Sequence, residues 1–128
     1  MRFKREESFR FQFQKPLQGS IKVIKENGAA VDKESSPIDI MDISPNGIKY
    51  NSPLNLPILE KKYLLEITFE LEHRFLHILG EPVWKKINGS QFTYGFSGIE
   101  NKSTKHEIIE ALKDYSKRIY IETKRNLK

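Results

Sequence analysis

The chain has 128 residues, 38% of them hydrophobic and 30% charged, with a formal net charge of +5. That suffices for one domain around one core and is too short for two ordinary ones. It contains no cysteine, which excludes disulfides, thiol catalysis and cysteine-ligated zinc, and no run approaches the roughly 18 apolar residues of a membrane-spanning helix.

The first ten residues, MRFKREESFR, carry no apolar leader core. This predicts a cytoplasmic protein. The charge is uneven. Residues 101–128 hold eight Lys/Arg against four Asp/Glu, or +4, and residues 1–15 hold five against two, or +3. Basic ends suit an anionic partner, and they equally suit plain solubility.

Along the chain, apolar residues mostly follow a period of two. Phe9, Phe11 and Phe13 alternate with Arg10, Gln12 and Gln14, the pattern of a half-buried strand. A bend is expected over Pro16 to Gly19, then a second run from Ser20 to Ile24. Lys25 to Pro37, with Asn27-Gly28 and several charges, reads as a mobile loop. Ile38 to Met41 resumes as a strand, Pro45-Asn46-Gly47 breaks it, and Ile48 to Tyr50 starts another. Leu65, Ile67, Phe69 and Leu71 share one face of the clearest strand. Glu66, Glu70 and Glu72 beside them read as a solvated face. Runs over Phe75 to Leu79, Val83 to Ile87 and Gln91 to Phe96 follow, punctuated by Gly80-Glu81-Pro82 and by Asn88-Gly89, a hairpin signal. Trp84 is expected in the core or at a barrel rim.

The period then changes. Thr104-Lys105-His106-Glu107 matches a capping box, and Ile108, Ile109, Leu112, Tyr115 and Ile119 recur at helical spacing. The expectation is a single, mainly β domain over 1–128. It comprises an N-terminal arm over 1–8, a small antiparallel six-stranded barrel over 9–99 and one C-terminal helix over 104–122.

Two stretches carry chemistry. In Asp42-Ile43-Ser44-Pro45-Asn46-Gly47, Asp42 and Ser44 flank Ile43 and face away from it. Pro45 fixes one φ, and Asn46 and Gly47 tolerate positive φ, so a tight turn is expected. This sets a carboxylate, a hydroxyl and approachable backbone in one small concavity. The same residues also describe an ordinary capped turn. The second stretch holds Arg5 and Arg10 ahead of the first strand. A guanidinium can grip phosphate with two parallel bonds, pair with guanine or stack on a purine; it can equally be a solvated strand start.

Together these stretches resemble the PilZ domain, a receptor family for cyclic di-GMP. The family pattern has RxxxR just before its first strand and [D/N]xSxxG in a later turn. Asp42, Ser44 and Gly47 match the second motif in full. Phe9-Arg10-Phe11 resembles the entry into strand one, making Arg10 the second arginine. Phe92 to Phe96, with Gly95, resembles the last core strand. The departure is at the first arginine: the residue four before Arg10 is Glu6, and Arg5 stands one step earlier. The resemblance implies a non-catalytic module that needs no cofactor. Its cyclic di-GMP would be held by Arg5, Arg10, Asp42, Ser44 and Gly47, with Lys4, Asn46 and Gly95 as further candidates. It also implies an effector protein controlling motility, biofilm or exopolysaccharide, and a monomer or homodimer. The shifted arginine motivates an alternative, a module that binds cyclic di-GMP weakly or not at all and works by protein contact.

Other classes rank lower. Nucleic-acid binding would use the barrel and the basic helix, but the strand-one aromatics alternate inward rather than forming a stacking surface. His73 and His77 stand at a metal spacing only on a helix, with no third ligand. Gly95-Phe96-Ser97-Gly98 is one residue short of a nucleophile elbow. No nucleophile–base set emerges.

Overall fold

The computed structural model describes residues 10–99 and 101–126. The arm, with Lys4, Arg5 and Glu6, lies outside the described residues. The elements in chain order are β1 (Phe11–Glu26), β2 (Ala29–Ala30), β3 (Ser36–Ile43), β4 (Gly47–Ser52), β5 (Tyr63–Leu71), β6 (Arg74–Asn88), β7 (Gln91–Gly98) and α1 (Lys102–Asn126). The strands run in the order β2-β1-β3-β4-β7-β6-β5, and β1 pairs β5 to close the ring. Apart from the two-residue β2, this is a closed antiparallel barrel of six strands with one C-terminal helix, the architecture expected from the sequence.

Closure depends on the length of β1. Its first part pairs β3 from Phe11↔Ile43 to Ile21↔Ser36, and its last part pairs β5 from Gly19↔Phe69 to Glu26↔Tyr63. The expected bend at Pro16 to Gly19 is therefore not a break. The register against β3 slips between Gln12 and Leu17, so the extra residues are taken up as a bulge that curves one continuous strand. Gly19 lies where both partners meet. A Cβ there would stand 3.0 Å from Ile40 Cδ1 and 3.0 Å from the Thr68 carbonyl oxygen.

The inward residues form one core. Ile40, Ile43, Tyr50, Leu65, Ile67 and Tyr94 are fully buried. Leu65 and Ile67 follow the period of two, while Ile40 and Ile43 lie on either side of a register shift. The helix adds Ile108, Ala111 and Leu112. Tyr115 sets its ring edge-on to Phe11 and Phe13, with centroids 5.2 and 5.5 Å away. Arg118 pairs Glu72 at 2.9 Å, tying the helix to the β5–β6 turn.

Three boundaries depart from the sequence expectation. Asn27-Gly28 does not sit in a loop running to Pro37. Both residues take positive φ, 52° and 84°, and close a β1–β2 hairpin with Lys25↔Ala30, the geometry Asn-Gly favours. Gly80-Glu81-Pro82 does not end a strand either, since β6 is continuous through it. Gly80 is the last partner of β5, so Pro82 falls where no ladder bond on that side is required. The helix starts earlier than the Thr104 box. Asn101 caps it: its Oδ1 accepts from the Thr104 amide at 3.0 Å, and its carbonyl accepts the first helical bond from Lys105. Asn101→Ala should therefore cost about 1 kcal/mol by chemical denaturation, and Thr104→Ala distinctly less. Equal costs would contradict the assignment of the cap.

One core group lacks a partner. Tyr50 stacks on Tyr94 with centroids 5.2 Å apart. The Tyr94 hydroxyl donates to the Leu54 carbonyl and accepts from the Leu56 amide. Among the described residues the buried Tyr50 hydroxyl has no hydrogen-bond partner. Burial, reinforced by the neighbouring Tyr94, holds its phenol well above the ordinary tyrosine range. Tyr50→Phe removes an unpaired polar atom and little else. It should leave the urea midpoint unchanged or raise stability by up to about 1 kcal/mol; a loss of that size would show the hydroxyl to be satisfied.

Candidate functional site on the outer barrel face

Asp42 reaches the outside of the barrel through a skipped beat in β3. Ile38 and Ile40 point inward, and strict alternation would send residue 42 inward as well. Instead Ile40 opposes Tyr50 while Asp42 opposes Lys49. Met41 is the extra residue of a bulge. The next inward residue is Ile43, three positions on, and Asp42 is released to the outer face. There it accepts from Arg10 Nη1. The pair joins a carboxylate side chain only 5% exposed to a guanidinium 44% exposed. Register aligns them, because Gln12 pairs Asp42 and Phe11 pairs Ile43.

The turn after β3 is tight. Ser44 N donates to the Gly47 carbonyl at 2.9 Å, and Ser44 Oγ accepts from Gly47 N at 3.1 Å. The expected tight turn forms without positive φ at Asn46 or Gly47. Ser-Pro-Asn-Gly fits a type I turn, which takes Ser at the first position, Pro at the second and Gly at the fourth. The missing side chain at Gly47 has another use: a Cβ would stand 2.9 Å from the Phe96 carbonyl oxygen. The Asn46 carbonyl accepts from Gly98 N at 2.8 Å, which pins the turn to β7.

A second bulge faces the first. Lys49 pairs Gly95, and Gly95 opposes Trp84 where β6 carries one extra residue, Val83. One transverse row thus reads Asp42, Lys49, Gly95, Trp84. Gly95 seats the Trp84 indole: a Cβ there would run into it. Between the two bulges lies a shallow recess of about 340 Å³ with Met41, Lys49, Trp84 and Lys86 on its walls. Two cations and an indole edge beside a carboxylate–guanidinium pair suit a ligand with negative charge and a planar ring.

Of the sequence-derived candidates, the structure brings together Arg10 with Asp42 and Ser44 with Gly47, on neighbouring residues of one turn. Asn46 is held at that turn through its backbone, and Gly95 lies under Trp84. Lys4 and Arg5 lie outside the described residues. Lys49, Trp84 and Lys86 were missed. The signal for them was the broken alternation Ile38-Ile40-Ile43, which marks a bulge and re-aims its neighbours.

A solved structure shares this arrangement of strands. The chain is similar to the PilZ domain of CeSA from a cellulose-synthesizing bacterium, with a TM-score of 0.54 over 80% of this chain and 92% of that one. The barrel has a PilZ-like fold. Sequence identity is 13%, so the likeness speaks to the fold. No family model matches the chain, and no curated protein matches it. In this PilZ-like barrel the Asp42–Gly47 turn lies at the rim joining β3 to β4, with the start of β1 alongside. Among the described residues no helix is long and apolar enough to cross a membrane.

Proposed function

We propose that the chain is a cytoplasmic, non-catalytic PilZ-type receptor for cyclic di-GMP, relaying the bound state to an effector protein. The carrying observation is the pairing of Arg10 with Asp42 beside the Ser44–Gly47 turn. It joins the two separate sequence motifs at one place. In the bound state Arg10 takes phosphate or the guanine O6/N7 edge, and Asp42 accepts from guanine N1 and N2. Arg5 and Lys4 supply further charge from the arm. Lys49 and Lys86 face the same recess and offset the ligand's two negative charges. Ligand binding exchanges the Arg10–Asp42 contact for contacts to the nucleotide. That exchange is the differential interaction a switch needs, since a ligand that favours neither state shifts nothing.

A second reading is an interaction module without the nucleotide, motivated by Glu6 at the position of the family's first arginine and by Arg10 being engaged already. Calorimetric titration of the full chain with cyclic di-GMP decides between them. Saturable binding at micromolar concentration is the expected result. No heat and no competition at millimolar nucleotide would leave the interaction module.

A further inference from the structure

The sheet forks at one place. Along Arg74 to Gly80, β6 pairs β5, with the last β5 pair at Leu65↔Gly80. From Glu81 to Asn88 it pairs β7 only. The first residues of β5 turn away to follow β1, where Tyr63 pairs Glu26. The outer edge of Val83 to Asn88 is thus a bare strand edge among the described residues. In the fork lies a groove of about 700 Å³, walled by Pro57, Ile58, Leu59 and Glu60 of the 53–62 connection and by Val83, Trp84 and Lys85 of β6, so that its own two charges, Glu60 and Lys85, offset each other.

The direction of the free backbone groups follows from the hairpin. Asn88 and Gln91 close the two-residue turn Gly89-Ser90, with Gly89 at φ 64°, so they form a hydrogen-bonded pair. Alternation then turns the N–H and C=O of Ile87 and Lys85 away from β7, toward the fork. Natural edge strands are normally short, covered, bulged or lysine-bearing to prevent pairing. This edge has the Val83 bulge at its start and two lysines; beyond the bulge it runs regularly to Asn88. It also carries exposed apolar side chains: Val83 is 57% exposed, Ile87 80%, and Leu59 across the groove 98%.

Charge selects the occupant. Lys85 Nζ is held by Asn55 Oδ1 and by the Leu56 carbonyl, both neutral acceptors, and neither Lys85 nor Lys86 meets a carboxylate among the described residues. A second copy is a poor fit. Every antiparallel register that pairs this whole edge with itself sets Lys85 or Lys86 opposite or diagonal to Lys85 or Lys86, and facing like charges destabilise a sheet. An acidic segment meets the opposite situation.

We infer that the fork between β6 and the 53–62 connection binds an extended segment of a partner protein, alternating apolar and acidic residues, added as a strand to the Val83–Asn88 edge. Main-chain bonds from Lys85 and Ile87 supply affinity, the groove on the Lys85 face takes alternate apolar side chains, and Lys86, on the opposite face of the strand, chooses the acidic ones. The inference stands without the nucleotide reading.

The probe is a fluorescein-labelled heptapeptide of alternating glutamate and valine, titrated against the full chain by anisotropy, with emission of Trp84, the sole tryptophan, as a second readout. Saturable binding is expected, with a lysine–valine peptide of the same length binding more weakly. Ile87→Pro removes one outward N–H and spares the bonds to β7; it should weaken binding about tenfold. Lys85→Glu with Lys86→Glu should do the same. If Ile87→Pro does not fold, the peptide N-methylated at alternate residues makes the same test on the unaltered chain. Absence of saturation, binding indifferent to Ile87→Pro or to N-methylation, or a dimer in sedimentation that Ile87→Pro dissolves would each overturn the inference.

Discussion

Arg10→Ala is expected to weaken cyclic di-GMP binding by about 10- to 100-fold, the value of one charge-assisted bond at about 1.5–3 kcal/mol. The thermal midpoint should also fall, because the Asp42 carboxylate, only 5% exposed, loses this cation and a buried charge stripped of a partner is costly; the loss of affinity is therefore read on folded protein. Arg10→Lys keeps the charge and loses the planar fork, so it should recover only part of the affinity. Asp42→Ala removes an acceptor for guanine but also releases Arg10 from its present contact. Its loss should therefore be smaller than that of Arg10→Ala. Calorimetry on the three variants reads all of this. Unaltered affinity in both alanine variants would remove Arg10 and Asp42 from the site and with them the basis for the proposed receptor.

The second large effect falls on the barrel itself. Gly80 lies where β6 passes from one partner, β5, to the other, β7, and stands opposite both Leu65 and Gly98. A Cβ there would meet the Ser97 carbonyl oxygen, the Phe96 ring at 2.6 Å and the Gly98 Cα at 2.8 Å. Two of these are backbone atoms and cannot rotate away. Gly80→Ala should thus cost about 3 kcal/mol or more, at the upper end for overpacking, and a domain of this size has only about 5–15 kcal/mol in total. Gly89→Ala is the contrast. Nothing lies within 4 Å of its Cβ, and its φ of 64° costs roughly 1 kcal/mol in strain. Urea denaturation of both variants separates close packing from backbone conformation. Equal losses would show that φ, not the sheet, fixes these glycines.

Much of this molecule was legible in one dimension. Leu65 to Leu71 announces a strand with one buried face because the pleat has a period of two, and Ile108, Leu112 and Tyr115 announce a helix because their spacing matches 3.6. The match of Asp42, Ser44 and Gly47 to a known turn motif needed no coordinates either. Errors arose where punctuation residues had two uses. Gly80 and Pro82 resemble a break, yet Gly80 admits close strands and Pro82 sits where no partner asks for its N–H. Thr104 and Glu107 resemble a cap, yet Asn101 stands three residues before Thr104 and reaches its amide first.

The sequence by itself determined the periods, and so the strands, the helix and the mainly β class, because local geometry alone sets which residues share a face. Only the tertiary structure decided which outward residues meet. Arg10 and Asp42 are 32 positions apart, and their contact depends on the register of β1 against β3. The row Asp42, Lys49, Gly95, Trp84 depends on two bulges facing each other across β4 and β7. The fork at Gly80 depends on β5 following β1 instead of β6. Register, bulge and closure are relations between strands, and a single strand's pattern does not contain them.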